Sequence, residues 1–413
     1  MDRKPKIRTR NLSKVFGPRP ERAFTFLKEG GSKLEAQEKL GLAVGVYDVS
    51  LDIYEGETFV LMGLSGSGKS TLLRLLNRLH EPTAGQIFID DIELTALNKR
   101  ELIEARRTKF MGMVFQQFAI LPHRTVLENV EYGLEVQGVD KAQRREKALE
   151  ATELVGLKGW EDSYPSQLSG GMQQRVGLAR SLAVDADILL MDEAFSALDP
   201  LIRKEMQDEL IELQSRMNKT IVFVTHDLDE ALKLGDRIAI MKDAQVVQVG
   251  TAEEILTAPA DDYVKAFVEG VDRTGVLTAG SIMQPVKETA HVRDGPRTIL
   301  TKLRRSGLSG ILVVDSERQV QGYLTSENLV EQLESARASQ ERLEMARVDE
   351  IVTVSEETPL QDLIAIASET SGPVPVVDDR QRLRGVVVKG SILAALAPTD
   401  TETDAASQEA TSV

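Results

Sequence analysis

No cysteine occurs among the 413 residues, which excludes disulfides, thiolate zinc sites and thiol catalysis. No apolar run approaches the roughly 18–20 residues needed to cross a bilayer. The opening stretch MDRKPKIRTR is polar and lacks the apolar core of a secretory signal. A cytoplasmic compartment is therefore expected, and any membrane role has to come through a partner. Positive charge is in deficit: 50 Lys and Arg against 65 Asp and Glu leave a net charge of −15. That argues against general nucleic-acid binding while leaving local basic patches open. What the chain has is length, and a hydrophobic fraction of 42% suited to soluble globular folding. It is too long for one ordinary core, so two or more domains are expected.

From about residue 45 strand-like and helix-like patterns alternate. GETFVLMGL (56–64) is a short apolar strand running into a glycine loop, and TLLRLLNRL (71–79) has helical spacing. DILLMDE (187–193), TIVFVTH (220–226) and DRIAIM (236–241) read as further buried parallel strands. Residues from about 100 to 180 read as mainly helical, a subdomain set into the sheet domain. Residues 17–45 read as an N-terminal helical insertion. From about 276 an internal repeat appears: GLSGILVVDSERQVQGYLTSENL (307–329) resembles TSGPVPVVDDRQRLRGVVVKGSIL (370–393). Each copy predicts helix, strand, polar turn, strand and helix, with an apolar face its twin can cover. The acidic tail after Pro398 is expected to be disordered.

GLSGSGKS, at 63–70, matches G-x-x-x-x-G-K-[ST] between a strand and a helix. Gly63, Gly66 and Gly68 let backbone amides approach phosphates. Lys69 is placed to reach the β- and γ-phosphates, Ser70 suits Mg²⁺, and the following helix adds its positive end. Asp192, closing the strand ILLMDE, is placed to hold Mg²⁺ through its water shell, and Glu193 to orient and polarise the attacking water. His226 ends another apolar strand, where an imidazole faces the usual ligand crevice. A second Ser-Gly-Gly turn opens LSGGMQQR (168–175). There Ser169 caps a helix, exposing the amides of Gly170 and Gly171 to an anion. Such a surface is most useful closing on the nucleotide of another copy of the chain, burying two ATP molecules at a two-fold interface.

Residues 1–270 resemble the nucleotide-binding subunit of an ABC transporter. The motifs stand in family order: Walker A at 63–71, FQQ at 115–117, the signature at 168–175, Walker B at 188–193, SALD at 196–199 and the switch His226. The resemblance implies a mixed α/β sheet core of the P-loop NTPase class with a helical subdomain. It assigns nucleotide contacts to Gly63, Leu64, Ser65, Gly66, Ser67, Gly68, Lys69, Ser70 and Thr71, and across the dimer to Ser169, Gly170 and Gly171. Gln116 would sense Mg²⁺ and the γ-phosphate while contacting a transmembrane partner. Asp199 would organise the dimer interface. Phe16 matches the aromatic position that stacks on adenine, although the 17–45 insertion sets it far upstream; a core role is the alternative.

FQQFAILPHRTVLENV (115–130), the insertion and the C-terminal repeat narrow the resemblance to ATPase subunits of osmoprotectant importers for glycine betaine, proline betaine and related quaternary amines. The implied assembly has two such subunits driving permease subunits, fed by an external or fused binding protein, peripherally on the cytoplasmic face of the inner membrane. An importer for another solute, such as an amino acid, is one rival; a soluble non-transport ABC ATPase is another. The repeat looks like an α+β tandem CBS module over 271–398. The family's G-x-x-T-x-x-D pattern becomes Gly322, Thr325 and Asn328 in the first copy and Gly385, Val388 and Ser391 in the second, which argues against nucleotide binding through the usual ribose contacts. A cyclic dinucleotide at a CBS dimer interface stays open. Basic clusters (Arg297, Lys302, Arg304 and Arg305, and RQRLR at 380–384) read either as a solvated face or as attraction to anionic lipid that rising ionic strength screens.

Overall fold

The computed structural model describes residues 4–108, 111–116, 119–269, 271–339, 351–370 and 372–396. Gln117 of the FQQ stretch and the acidic tail lie outside them. The chain divides into two compact units, Met1–Val268 and Glu269–Val413.

The first unit holds two sheets. Strands β1 (Pro5–Phe16), β2 (Ala43–Tyr54), β4 (Ala84–Ile89) and β5 (Ile92–Glu93) form an antiparallel sheet of order β2-β1-β4-β5. The other sheet takes β3 (Thr58–Met62), β6 (Met111–Phe115), β7 (Ile188–Asp192), β8 (Thr220–Thr225), β9 (Arg237–Lys242) and β10 (Gln245–Gly250), in the order β10-β9-β3-β8-β7-β6. All its pairs are parallel except β9 with β10. Every residue of β3, β7 and β8 is buried, which is why they read as continuous apolar runs. Phe223 packs on Phe195 with ring centroids 5.5 Å apart; each fully buried side chain of this kind contributes about 1.5–3 kcal/mol. Helices Val126–Gln137, Lys141–Leu154 and Gly170–Ala183 form the helical region.

Three details depart from the sequence reading. Met111–Phe115, inside the stretch read as mainly helical, is the edge strand β6 paired with β7. The insertion forms helices Glu21–Lys28 and Lys33–Leu40, but Ala43 to Gly45 already belong to β2. β1 escaped notice because it is rich in basic residues. Its Lys6 is buried against Asp90 (3.0 Å) and Asp187 (3.4 Å), and its Arg8 lies 5.3 Å from the Phe88 ring centroid.

The second unit repeats one motif. β11 (Thr289–His291), β12 (Gly310–Val314) and β13 (Val320–Thr325) form one sheet, and β14 (Val354–Ser355), β15 (Val374–Val377) and β16 (Leu383–Val387) the other. In each the first pair is parallel and the second antiparallel. Leu312, Val314 and Leu383 share one core across the two copies, the mutual cover that an internal repeat requires. Leu277 and Ala279, ahead of the first copy, pack into the core of the second. Among the described residues, no helix is long and apolar enough to cross a membrane.

Candidate functional site

The parallel strands direct their carboxyl ends to one edge of the sheet, where ligands of open α/β sheets bind. β3 feeds the loop 63–68 and the helix Lys69–Leu76. Two of its glycines are forced. A Cβ on Gly63 (φ +149°) would stand 2.2 Å from the Met241 carbonyl oxygen, and one on Gly68 (φ +107°) 2.2 Å from that of Gly45. The loop's carbonyls are turned toward the protein. Lys69 Nζ donates to those of Gly63 (2.8 Å) and Leu64 (3.1 Å), and the Ala244 N–H to that of Ser67 (3.0 Å). Such a loop presents its amides at the head of a helix, an anion-binding arrangement. Ser67 Oγ is buried without a protein partner, a group that a phosphate oxygen would satisfy. The residues present thus fit a nucleotide phosphate chain.

Burial pushes the Lys69 ammonium below the usual lysine range, against the pull of the Glu193 and Asp192 carboxylates. Asp192, buried at the end of β7, accepts from Arg74 at 3.1 Å. The next residue, Glu193, has φ +48° while its N–H donates to the Val224 carbonyl (3.1 Å). A glutamate in this left-handed region costs on the order of 1 kcal/mol, and such strain gathers at functional positions. Its carboxylate is where three elements meet. Gln116, just past β6, donates to Glu193 Oε2 (3.3 Å) and to Ser196 Oγ (3.2 Å). His226, just past β8, holds Nδ1 at 3.7 Å from the same oxygen. Ser196 in turn donates to the Glu193 carbonyl (2.9 Å).

The structure explains how Phe16 can be far upstream yet near the loop. Phe16 pairs with Ala43 across β1 and β2, so the insertion leaves and returns at one point of the hairpin. A Cβ on Gly45 would meet both the Phe16 ring (2.8 Å) and Thr71 Cγ2 (2.9 Å). The ring is 37% exposed and meets His80 edge-on at 5.5 Å, so it is no core residue.

Ser169 Oγ accepts from the Met172 N–H (3.3 Å), capping its helix, and Asp199 Oδ1 accepts from the Ile202 N–H (3.1 Å). The two caps are neighbours, since a Cβ on Gly171 would lie 2.5 Å from Ile202 Cγ2. Among the described residues, no hydrogen bond or ion pair joins Ser169, Gly170 or Gly171 to residues 63–71. Sequence reasoning missed Arg74 on Asp192, although a cation four residues after Ser70 on a helix was a usable signal, and it missed the link from Ser196 to Gln116. Beside Gln116 a groove of about 620 Å³ is lined by Ile103, Met111, Phe115, Tyr132 and Val136 among others.

In the second unit Thr325 and Asn328 are spent on each other: Thr325 Oγ1 and its backbone N–H both donate to Asn328 Oδ1. Several of the basic residues are tied down locally, Lys302 to Asp294 (2.9 Å), Arg305 to Glu288 (3.1 Å) and Arg384 to Glu356 (2.9 Å).

Residues 46–196 match the ABC transporter family and residues 344–398 the CBS domain. A dimeric ATP-binding cassette solved in a post-hydrolysis state with ADP and Pi aligns with 60% of this chain and 98% of its own, at 35% identity and a TM-score of 0.50. Fold and site together are those of an ATP-hydrolysing ABC cassette. The glycine betaine transport ATP-binding protein OpuAA of Bacillus subtilis is 52% identical over 96% of this chain and 94% of its own length. The glycine betaine/proline betaine transport system ATP-binding protein ProV of Escherichia coli is 49% identical over 95% and 97%. The chain belongs to this family of ATP-binding subunits of glycine betaine ABC transport systems.

Proposed function

We propose that this chain is the peripheral, cytoplasmic ATPase of an importer for glycine betaine or a related quaternary amine, working as a homodimer on a permease fed by a separate or fused binding protein. The observation that carries the reading is the convergence of Lys69, Asp192, Gln116 and His226 around Glu193 at one sheet edge. Near full-length likeness to betaine-system relatives supports the substrate class. The amides of residues 63–71 bind the phosphates, and Phe16 lies where adenine extends from them. Ser70, Asp192 and Gln116 are the residues to hold Mg²⁺, which when bound neutralises charge on the β- and γ-phosphates. Glu193 accepts one hydrogen bond from Gln116, and its free carboxylate capacity orients the attacking water and takes its proton; His226 steadies the γ-phosphate.

Among the described residues, Ser169, Gly170 and Gly171 make no hydrogen bond or ion pair with their own loop, which supports their acting on the ATP of the partner subunit, with Asp199 beside them at the dimer interface. The apolar groove beside Gln116 fits a permease segment, so that docking and the γ-phosphate are read by one side chain. The C-terminal unit regulates, through ionic strength acting on anionic lipid or through a cyclic dinucleotide. The deciding experiment is co-purification with the permease from detergent-solubilised membranes, followed by ATP-driven betaine uptake in proteoliposomes. Failure to accumulate betaine, with uptake of another solute instead, would replace the substrate; recovery with ribosomes or DNA factors would replace the reading.

A further inference from the structure

The helical insertion reaches into the phosphate cradle. Lys33, from the start of the helix Lys33–Leu40, donates its ammonium to the carbonyl of Gly66. Gly66 sits at φ +79° in the middle of the loop. Lys33 is a poor choice for its own helix: it occupies the first turn, where the positive end of the helix disfavours a cation. A position that breaks a local rule is where function is to be sought.

The surroundings hold this lysine in place. Ser32 caps the helix in a reciprocal box with Glu35, the Glu35 N–H donating to Ser32 Oγ (3.1 Å) and the Ser32 N–H to Glu35 Oε2 (2.9 Å). Ala23 and Ala36 of the insertion share a buried core with Val44 and Ala244, and Phe24 stacks on Tyr47 at 6.3 Å. Ala244 is the residue whose N–H binds the Ser67 carbonyl, and its own carbonyl accepts from the Tyr47 N–H (2.8 Å). The insertion thus grips two successive carbonyls of the loop, Gly66 through Lys33 and Ser67 through the Ala244 turn on which it packs. Burial pushes the Lys33 ammonium below its ordinary value, with Asp243 pulling the other way.

We propose that Lys33 is a positioning residue for ATP: by holding the Gly66 carbonyl away from the phosphates, next to the Ser67 N–H that donates to the Leu64 carbonyl (3.1 Å), it fixes the turn from Leu64 to Ser67 and with it the flanking loop amides that bind the phosphates. The insertion would then set nucleotide affinity without touching the reacting atoms. This rests on the assignment of residues 63–71 to the phosphate cradle.

The test uses the full chain with Mg-ATP, reading equilibrium binding of a fluorescent ATP analogue together with steady-state hydrolysis. Lys33→Met keeps the length and removes the charge, Lys33→Arg restores a donor, and Lys28→Met removes a basic residue of the same insertion. Lys33→Met should raise Kd and KM on the order of tenfold, the scale of one hydrogen bond from a charged donor, with kcat within twofold. Arginine should recover most of the loss, and Lys28→Met should change nothing. An unchanged Kd in Lys33→Met overturns the proposal, as does an equal effect in Lys28→Met or no recovery with arginine. Lys69→Ala separates the two assignments: if it binds ATP as tightly as the parent, the cradle is misplaced and the failure is not Lys33's.

Discussion

Charge is used in opposite ways in the two units. In the cassette, Lys69 and Asp192 are buried and Glu193 is partly buried, held where strand ends converge, with a strained backbone at Glu193. In the repeat unit, charged groups stand on an amphipathic helix, Pro296–Ser306, whose buried face is Pro296, Ile299 and Leu303, and two of them, Lys302 and Arg305, pair with acids close by. Buried convergent charge is expensive and persists where chemistry needs it. Surface charge paired nearby is worth little and is readily screened. The contrast assigns hydrolysis to the first unit and supports the proposal that the second adjusts it.

The sharpest way to break this assignment is Glu193→Gln. The amide keeps the shape and the contact with Gln116 but takes no proton from water. Turnover should fall by about 10²–10⁴-fold, the range for losing a general base, while ATP binding persists and traps a closed dimer. Steady-state hydrolysis comparable to the parent's would remove Glu193 from its role.

How much of this was legible follows from the same contrast. β3, β7 and β8 could be read because strands buried on both faces are apolar throughout, and their ends named Lys69, Asp192, Glu193 and His226. β1 could not, because its Arg10 pairs with Asp52 on the neighbouring strand (2.7 Å): a charged strand looks like a loop until its partners are placed. The left-handed backbone of Glu193 and the reach of Lys33 to Gly66 need a third dimension. The basic stretch after 290 looked free in sequence because the acids that hold it, Glu288, Asp294 and Glu356, lie 8 to 28 residues away from their partners.

Removing residues 276–413 tests the other side. Proteoliposomes containing anionic lipid should be silent at low internal salt with the full chain and active with the truncated one, a several-fold difference that closes as salt rises and the Debye length shrinks from about 10 Å at 0.1 M. Truncated protein that still needs high salt, or a complex that no longer assembles, would make the repeat unit structural.

A twofold effect separates shared from self-contained sites within the cassette dimer. Lys69→Ala in one subunit and Ser169→Arg in the other place both lesions at one site if Ser169 acts across the interface, leaving about half the parent rate. Both lesions in the same chain, beside an unmodified partner, damage both sites and leave almost none. The reverse order, almost no activity with one lesion in each chain and about half the parent rate with both in one chain, would put Ser169 at its own loop.

The smallest effect is expected at Asp294, and it decides what the basic helix is for. Asp294 Oδ2 accepts from the His291 N–H (2.9 Å) and from Lys302 Nζ (2.9 Å), joining β11 to the helix, and Lys302 also donates to the Thr289 carbonyl (3.1 Å). Burial pushes this carboxyl up, but the His291 amide and then the Lys302 ammonium outweigh it and hold it below its ordinary value of 3.8. A depressed acid stabilises the fold above the unfolded value, and that contribution is lost as pH falls through the folded one. Asp294→Asn should therefore unfold more easily at neutral pH by about 1 kcal/mol, the scale of a partly buried pair, with the difference from the parent vanishing in acid. Its kcat should not change. The same substitution frees Lys302, and the two uses of the helix then diverge. Tighter binding to anionic vesicles at low salt would show that pairing with Asp294 had been withholding a lipid-directed cation. Lower stability with unchanged vesicle binding would make the basic helix a structural strut, and the ionic-strength response would have to be sought at Arg380 to Arg384.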